Sequence, residues 1–426
     1  MTQGPGQGGR FPGSDVRNPR VLISGAGIAG PSLAHWLLRY GFEPTLIERA
    51  PAFRAGGYMI DVWGTGYDIL ERYGLLETGR QRGYRFDRLK FVDVRGRERS
   101  RLGAEVFRAA LGGRFFSIPR SELARTIYET IEGRVPLLYG TSIRTLHQDA
   151  GGIELELSTG ETHRFDLLVG ADGLHSRVRE LAFVADPLLE RYLGYIAASF
   201  TTEGYPHRDE GVYVSYARPG RQVSRYAMRG GRSAFLFVFA EKDRERIPSH
   251  DSLAQRTLVR SRFSGDGWEV PEILARLETA EDFFLDAVSQ IRMPRWTSGR
   301  VALVGDAAYS PSLLAGAGAA FAMLGAYVLA QALHAADGSF ASAFAIYELK
   351  LRPFMRRQQA GAARFASSFT PGTELGLAVR DRVLQLMRIP AIGTWLARRM
   401  LGGSYPLPDA DRSTARGSGS SAGSGR

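Results

Sequence analysis

The stretch that most constrains this chain is Arg20-Val-Leu-Ile-Ser-Gly-Ala-Gly-Ile-Ala-Gly30. Arg20 to Ser24 reads as a short buried strand, and the pattern turns helical from about Ala29 to Tyr40. A strand passing through glycines directly into a helix is half of a βαβ unit. Gly25 permits the tight turn, Gly27 lets a pyrophosphate approach the backbone, and Gly30 lets helix and strand pack closely. Ile28 and Ala29 open the helix, whose free N–H groups and dipole favour an anion. A second strand, Pro44 to Ile47, ends at Glu48, placed to accept hydrogen bonds from a ribose diol, with Arg49 beside it. Turn, helix and acid in register predict a dinucleotide site without saying which dinucleotide.

Two later segments repeat the theme. Asp166-Leu-Leu-Val-Gly-Ala-Asp-Gly-Leu-His-Ser-Arg-Val-Arg179 sets Asp172 and Gly173 after a buried strand spanning Phe165 to Gly170. Gly299-Arg-Val-Ala-Leu-Val-Gly-Asp-Ala-Ala308 sets Gly305 and Asp306 after a strand from Arg300 to Val304. Either motif alone is ordinary turn or N-cap chemistry. Three strand-end motifs in this order point to one shared ligand.

Between them the pattern changes. From about Gly211 to Ala240, apolar runs separated by Pro219-Gly220 and Gly230-Gly231 predict antiparallel hairpins. Alternation puts Phe235, Phe237 and Phe239 on one face, with core packing the default for that stripe. Phe237 and Arg225 are the substrate-contact candidates here. From Ser312 to Ala332 the chain carries no charge, but its Ala and Gly content predicts a buried helix rather than a membrane span. Residues from about Phe340 to Leu401 look helical.

These readings give an α/β fold. A Rossmann-like domain is assembled from segments 20–90, 116–185 and 295–336. An antiparallel-sheet substrate domain takes 91–115 and 186–294, helices take 337–403, and tails take 1–19 and 404–426. The 426 residues include no cysteine, which removes disulfides, thiolate metal sites and cysteine nucleophiles. The histidines show no ligand spacing, so no metal is expected. The net charge of +11 is nearly all arginine, spread among acids, and no nucleic-acid partner is expected. No apolar leader precedes Asn18, so the chain reads as cytoplasmic.

The three motifs together resemble the FAD-dependent aromatic hydroxylases of the para-hydroxybenzoate hydroxylase type. Within them the segment after Glu48 looks most like tetracycline-inactivating and polyketide-tailoring monooxygenases. The resemblance implies bound FAD, NADPH or NADH as a transient reductant, O2, and an aromatic or polycyclic substrate hydroxylated through a C4a-hydroperoxyflavin. It implies that Glu48 binds the adenosine ribose and Arg54 lies near the phosphates or adenine. Arg120 would contact the flavin side, Asp172 and Gly173 would serve the FAD and nicotinamide fingerprint, and Asp306 would meet the ribityl chain. Asp61 would sit at the isoalloxazine edge and is the one catalytic candidate. Gly316, Gly318 and Ala319 would offer backbone N–H groups to the flavin pyrimidine.

The chain departs from the family at Tyr309, where the usual residue is His. It departs again at Gly316-Ala-Gly-Ala-Ala320, where the family has G-Q-G-x-N, and at Gly325, where it has an acid. Those changes leave room for Baeyer–Villiger oxidation, epoxidation or two-electron oxidation on the same scaffold. A flavin-binding module without turnover, or a membrane-attached protein, is the alternative of another class. The oligomeric state is left open.

Overall fold

A computed structural model describes residues 18–53, 58–183, 189–207, 209–248, 251–336, 338–401 and 404–407. The tails expected at 1–17 and 408–426, and Arg54, lie outside the described residues.

The glycine-rich turn sits at the centre of a six-stranded sheet. Its strands run Thr297–Ser298, Val301–Leu303, Leu167–Gly170, Arg20–Ser24, Glu43–Glu48 and Leu137–Tyr139 in spatial order. All neighbours are parallel except the first pair. The three central strands are buried on both faces, which explains their unbroken apolar sequences. Helix Ala29–Arg39 covers one side, and helix Gly318–Ala335 packs beside it. That uncharged helix buries Phe321 to Ala330, Ala332 and Leu333, so it is a core helix of this unit. Three strands, Ile143–Asp149, Gly152–Leu157 and Thr162–Phe165, form an antiparallel appendage; Phe165 belongs to it, and the central strand begins only at Leu167.

The second unit is a seven-stranded sheet. Its strands in order are Phe284–Ile291, Glu190–Glu203, Arg232–Ala240, Arg221–Ala227, Val212–Arg218, Arg88–Val92 and Glu98–Gly103. The three central strands pair antiparallel through the two expected turns. Arg88–Val92 pairs parallel to Val212–Arg218, so a division at residue 90 would cut a strand that belongs wholly to this sheet.

Each face of that sheet has a different neighbour. Val223, Phe235, Phe237 and Phe239 bury themselves under helices Ser252–Phe263 and Val270–Leu277. The opposite face carries Tyr213, Ser215, Gln222, Ser224, Tyr226, Leu236 and Val238, and turns toward the first unit: Tyr226 and Tyr213 meet Met59, while Leu236 and Val238 meet Leu313 and Leu314. A two-stranded ribbon, Met59–Trp63 with Phe115–Pro119, lies between the units.

The expected C-terminal helices are Phe340–Phe369, Glu374–Leu386 and Pro390–Leu401. The region from 404, expected as a tail, begins with an ordered strap. Tyr405 N–H donates to Thr65 Oγ1 at 2.8 Å and the Tyr405 ring packs edge-on against Phe354.

Candidate flavin site and its inner chamber

The three strand-end motifs meet. Gly25 has φ of +107°, and a side chain there would strike Ala171 O at 2.5 Å and Asp172 Cα at 2.8 Å, so the first turn lies against the second motif. Gly305, at φ +68°, leaves its missing Cβ 3.1 Å from Ala29 Cβ, joining the third motif to the first. Gly27 is different: the nearest atom its Cβ would meet is Arg120 Nη2 at 3.8 Å, so this glycine faces an open approach with a guanidinium beyond it. Gly318 looks onto Asp306 Oδ1 at 3.8 Å. Ile28 and Ala29 are buried at the helix start, Gly30 is pressed against Gly25 O, and Gly316 is an exposed left-handed turn before Ala319 and the long helix.

The carboxylates divide by what they hold. Glu48 accepts from Ala26 N at 2.9 Å and Ala50 N at 2.8 Å, so it braces the glycine turn while staying part-exposed beside it. Arg49 next to it points outward. Asp172 accepts from Ser176 Oγ at 2.5 Å and from Val178 N at 3.0 Å, so both oxygens tie its own loop. Gly173, at φ +81°, completes that turn.

A second group of side chains is enclosed by protein on all sides yet keeps part of its surface within reach of solvent: Tyr58, Asp61, Tyr213 and Asp306. Tyr58 and Asp306 both lie within electrostatic reach of Arg120, and Asp61 within reach of Tyr213. Burial raises the Asp306 carboxyl, against the pull of the Arg120 guanidinium. Burial raises the Asp61 carboxyl to about 6, against a hydrogen bond from Ser117 Oγ at 2.5 Å and another from the Tyr213 phenol. Tyr58, Ser117 and Tyr213 were not sequence candidates as site residues. Pairing within the ribbon sets Ser117 opposite Asp61 and lets Arg120 N donate to Tyr58 O, and the large sheet adds Tyr213.

Two sequence candidates are corrected. Phe237 is fully buried and packs edge-on against Phe263 at 4.9 Å, on the helix-covered face, away from the face that carries Tyr213. Arg225, 1% exposed, is on that same face; it pairs with Asp209 at 2.8 Å and donates to Glu269 at 3.1 Å and His207 O at 2.9 Å. Alternation put Phe235, Phe237 and Phe239 on one face, as the structure does, but did not say which face turns inward.

The departures at Tyr309 and Gly325 explain each other. A Cβ at residue 325 would fall on the Tyr309 hydroxyl and lie 3.0 Å from Cζ. The glycine therefore makes the hole that the phenol fills, 3.4 Å from Tyr347 Oη. Just beyond, Ser312 holds a strained φ of 102° in a buried position.

The site suits a dinucleotide: open space over Gly27, the Arg120 guanidinium beyond it, and the half-buried acids Glu48 and Asp306 on the adjoining strand-end motifs. The comparisons agree. The FAD binding domain model matches residues 18–343. An uncharacterised protein of Mycobacterium tuberculosis is 37% identical over 346 residues, covering 80% of this chain and 91% of that one. A flavin-dependent monooxygenase of Legionella longbeachae is 32% identical over 368 residues, covering 86% and 93%. Among solved structures, the tetracycline destructase Tet(51) superposes with a TM-score of 0.78 at 27% identity, covering 92% of this chain and 100% of that one. The chain belongs to the FAD-binding family of aromatic-hydroxylase-type flavoprotein monooxygenases. It is an oxidoreductase that binds FAD.

Proposed function

We propose that this enzyme, working in the cytoplasm, takes electrons from NADPH or NADH and uses O2 to hydroxylate an aromatic or polycyclic small molecule. The observation that carries this reading is the meeting of the three strand-end motifs, with Gly27 open toward Arg120, beside the Asp61–Tyr213 pair that the seven-stranded sheet completes. FAD, when bound, accepts the hydride and activates oxygen for transfer to an electron-rich carbon. The protein supplies position and dryness. Gly27 and the N–H groups of the first turn would take the pyrophosphate, Arg120 would balance its charge, and Glu48 would meet the ribose. Asp306 would hold the ribityl chain, and Gly316 to Ala319 would present backbone N–H groups to the flavin ring.

On the inner face, Val238, Ser215, Gln222 and Ser224 are buried by their neighbours, while Tyr213 keeps part of its surface exposed beside Asp61. Ser215 and Ser224 already hydrogen-bond each other at 2.8 Å. With its carboxyl raised to about 6, Asp61 is largely ionised at neutral pH and can accept a proton from a phenolic substrate oxygen, with Ser117 and Tyr213 hydrogen-bonded beside it. The likeness to a tetracycline destructase supports a polycyclic substrate.

A visible spectrum of the purified protein, followed by anaerobic NADPH titration across candidate aromatics, tests the reading. Flavin absorbance, substrate-stimulated reduction and a product heavier by one oxygen atom are expected. Oxidation without a hydroxylated product would favour another flavin reaction. A yellow protein that consumes no nicotinamide cofactor would reject catalysis.

A further inference from the structure

Seven of the eleven large apolar side chains that stand exposed among the described residues fall between Leu375 and Trp395. On helix Glu374–Leu386 they are Leu375, Val379, Val383 and Leu386, spaced for one face. Leu377 and Met387 turn the other way into the protein. Ile389 in the turn, and Ile392 and Trp395 on helix Pro390–Leu401, are exposed as well. The exposures are large: 76% for Leu375, 52% for Leu386 and 60% for Trp395. A folded chain scatters single exposed apolar residues, whereas their concentration on one helix face and the segment that follows marks a contact surface.

The rim of the patch is basic. Arg382, Arg388, Arg398 and Arg399 are exposed, and none has a carboxylate partner among the described residues. Arg399 lies over the Trp395 ring, 5.8 Å from its centroid. The acids of the two helices are Glu374, at the far end, and Asp381. Asp381 is buried and occupied by Ser100 Oγ at 3.0 Å and Arg99 at 3.0 Å.

We propose that this face docks on an anionic phospholipid bilayer, its apolar side chains entering the headgroup boundary and its arginines meeting lipid phosphates. Leu, Ile and Trp on one face with arginines beside them is the pattern of an interfacial helix lying in the plane of a membrane. A second copy fits poorly: a two-fold contact would set this arginine rim against itself in an apolar seam with no acid to answer it. The contact is peripheral, since no uncharged span of either helix is long enough to cross.

The experiment uses the full flavin-loaded chain and sedimentation with vesicles. Phosphatidylcholine vesicles containing phosphatidylglycerol should carry the protein down, with a blue shift in tryptophan emission that Trp395→Phe removes. Phosphatidylcholine alone should bind it far less, and added salt should release it. Arg388→Gln with Arg398→Gln should lower partitioning by about 30-fold, at roughly fivefold per arginine. Val379→Glu should abolish binding. Both variants change exposed positions and should keep their flavin. Failure of the wild type to bind the anionic vesicles overturns the proposal. So does a soluble dimer that Val379→Glu splits while vesicles remain unbound. Neither result touches the flavin reading, which the visible spectrum reports separately.

Discussion

Replacing Gly325 by alanine tests whether the glycine exists to admit Tyr309. Residue 325 lies inside helix Gly318–Ala335, where alanine is ordinarily the better residue by about 1 kcal/mol. Against that gain stands the new methyl group, which would overlap the Tyr309 hydroxyl and sit 3.0 Å from Cζ and 3.2 Å from Val304 Cγ2. The phenol has no room to retreat: it is 2% exposed and packed on Trp296 at 4.6 Å, with Tyr347 behind it. Overpacking a closed core costs about 1–3 kcal/mol. The clash outweighs the helix term, and Gly325→Ala should destabilise by roughly 1–2 kcal/mol. In a Tyr309→Phe background the overlapping oxygen is gone, so the same alanine should be neutral or stabilising. The double-mutant cycle should show a coupling of about 1–2 kcal/mol. Urea midpoints at constant m-value, measured on the four flavin-loaded proteins, read it directly. If Gly325→Ala raised the midpoint beside native Tyr309, or cost the same in both backgrounds, the paired explanation would be wrong.

Three other expectations are sharper at the site and in the core. Gly27→Val should yield a colourless protein by 450-nm absorbance. Its stability without flavin should shift by less than about 1 kcal/mol, because the space above Gly27 is open; full flavin occupancy would refute its pyrophosphate role. Asp61, raised from 3.8 to about 6, favours the folded state below pH 4 and loses that contribution as pH rises to 6. Asp61→Asn should therefore stabilise flavin-free protein at pH 8 by roughly 1–3 kcal/mol and converge with wild type below pH 4, as pH-dependent denaturation will show. His35 is lowered from 6.5 to about 4, first by burial and then by Arg39 and Arg134. Thr130 Oγ1 donates to Ile127 O and so accepts from His35 Nδ1, leaving a buried Nε2 with no acceptor for a second proton. Stability present above pH 6.5 should fall by roughly 2–3 kcal/mol on approach to pH 4, and His35→Gln should flatten that slope.

The glycine-rich turn, its helix, Glu48 and the two later strand-end motifs were legible because each is a short-range requirement of the chain. A glycine needed for a tight turn, an acid at a strand end and an apolar run buried on both faces leave their mark within a few residues. Alternation likewise announced the hairpins and the shared face of Phe235, Phe237 and Phe239. It was silent on which side of the sheet meets the flavin unit, since a period of two is symmetric about the sheet plane. Arg225 and Phe237 were misplaced for that reason.

Tertiary structure alone brought Asp61, Ser117 and Tyr213 together from three strands, set Arg120 opposite Gly27, and matched Tyr309 to the hole at Gly325. Those pairings join residues from 16 to 152 positions apart, and no local pattern encodes contacts that only the packing of distant segments makes. Local order along the chain wrote the strand-end motifs, and the way distant segments pack decided which side chains stand beside them.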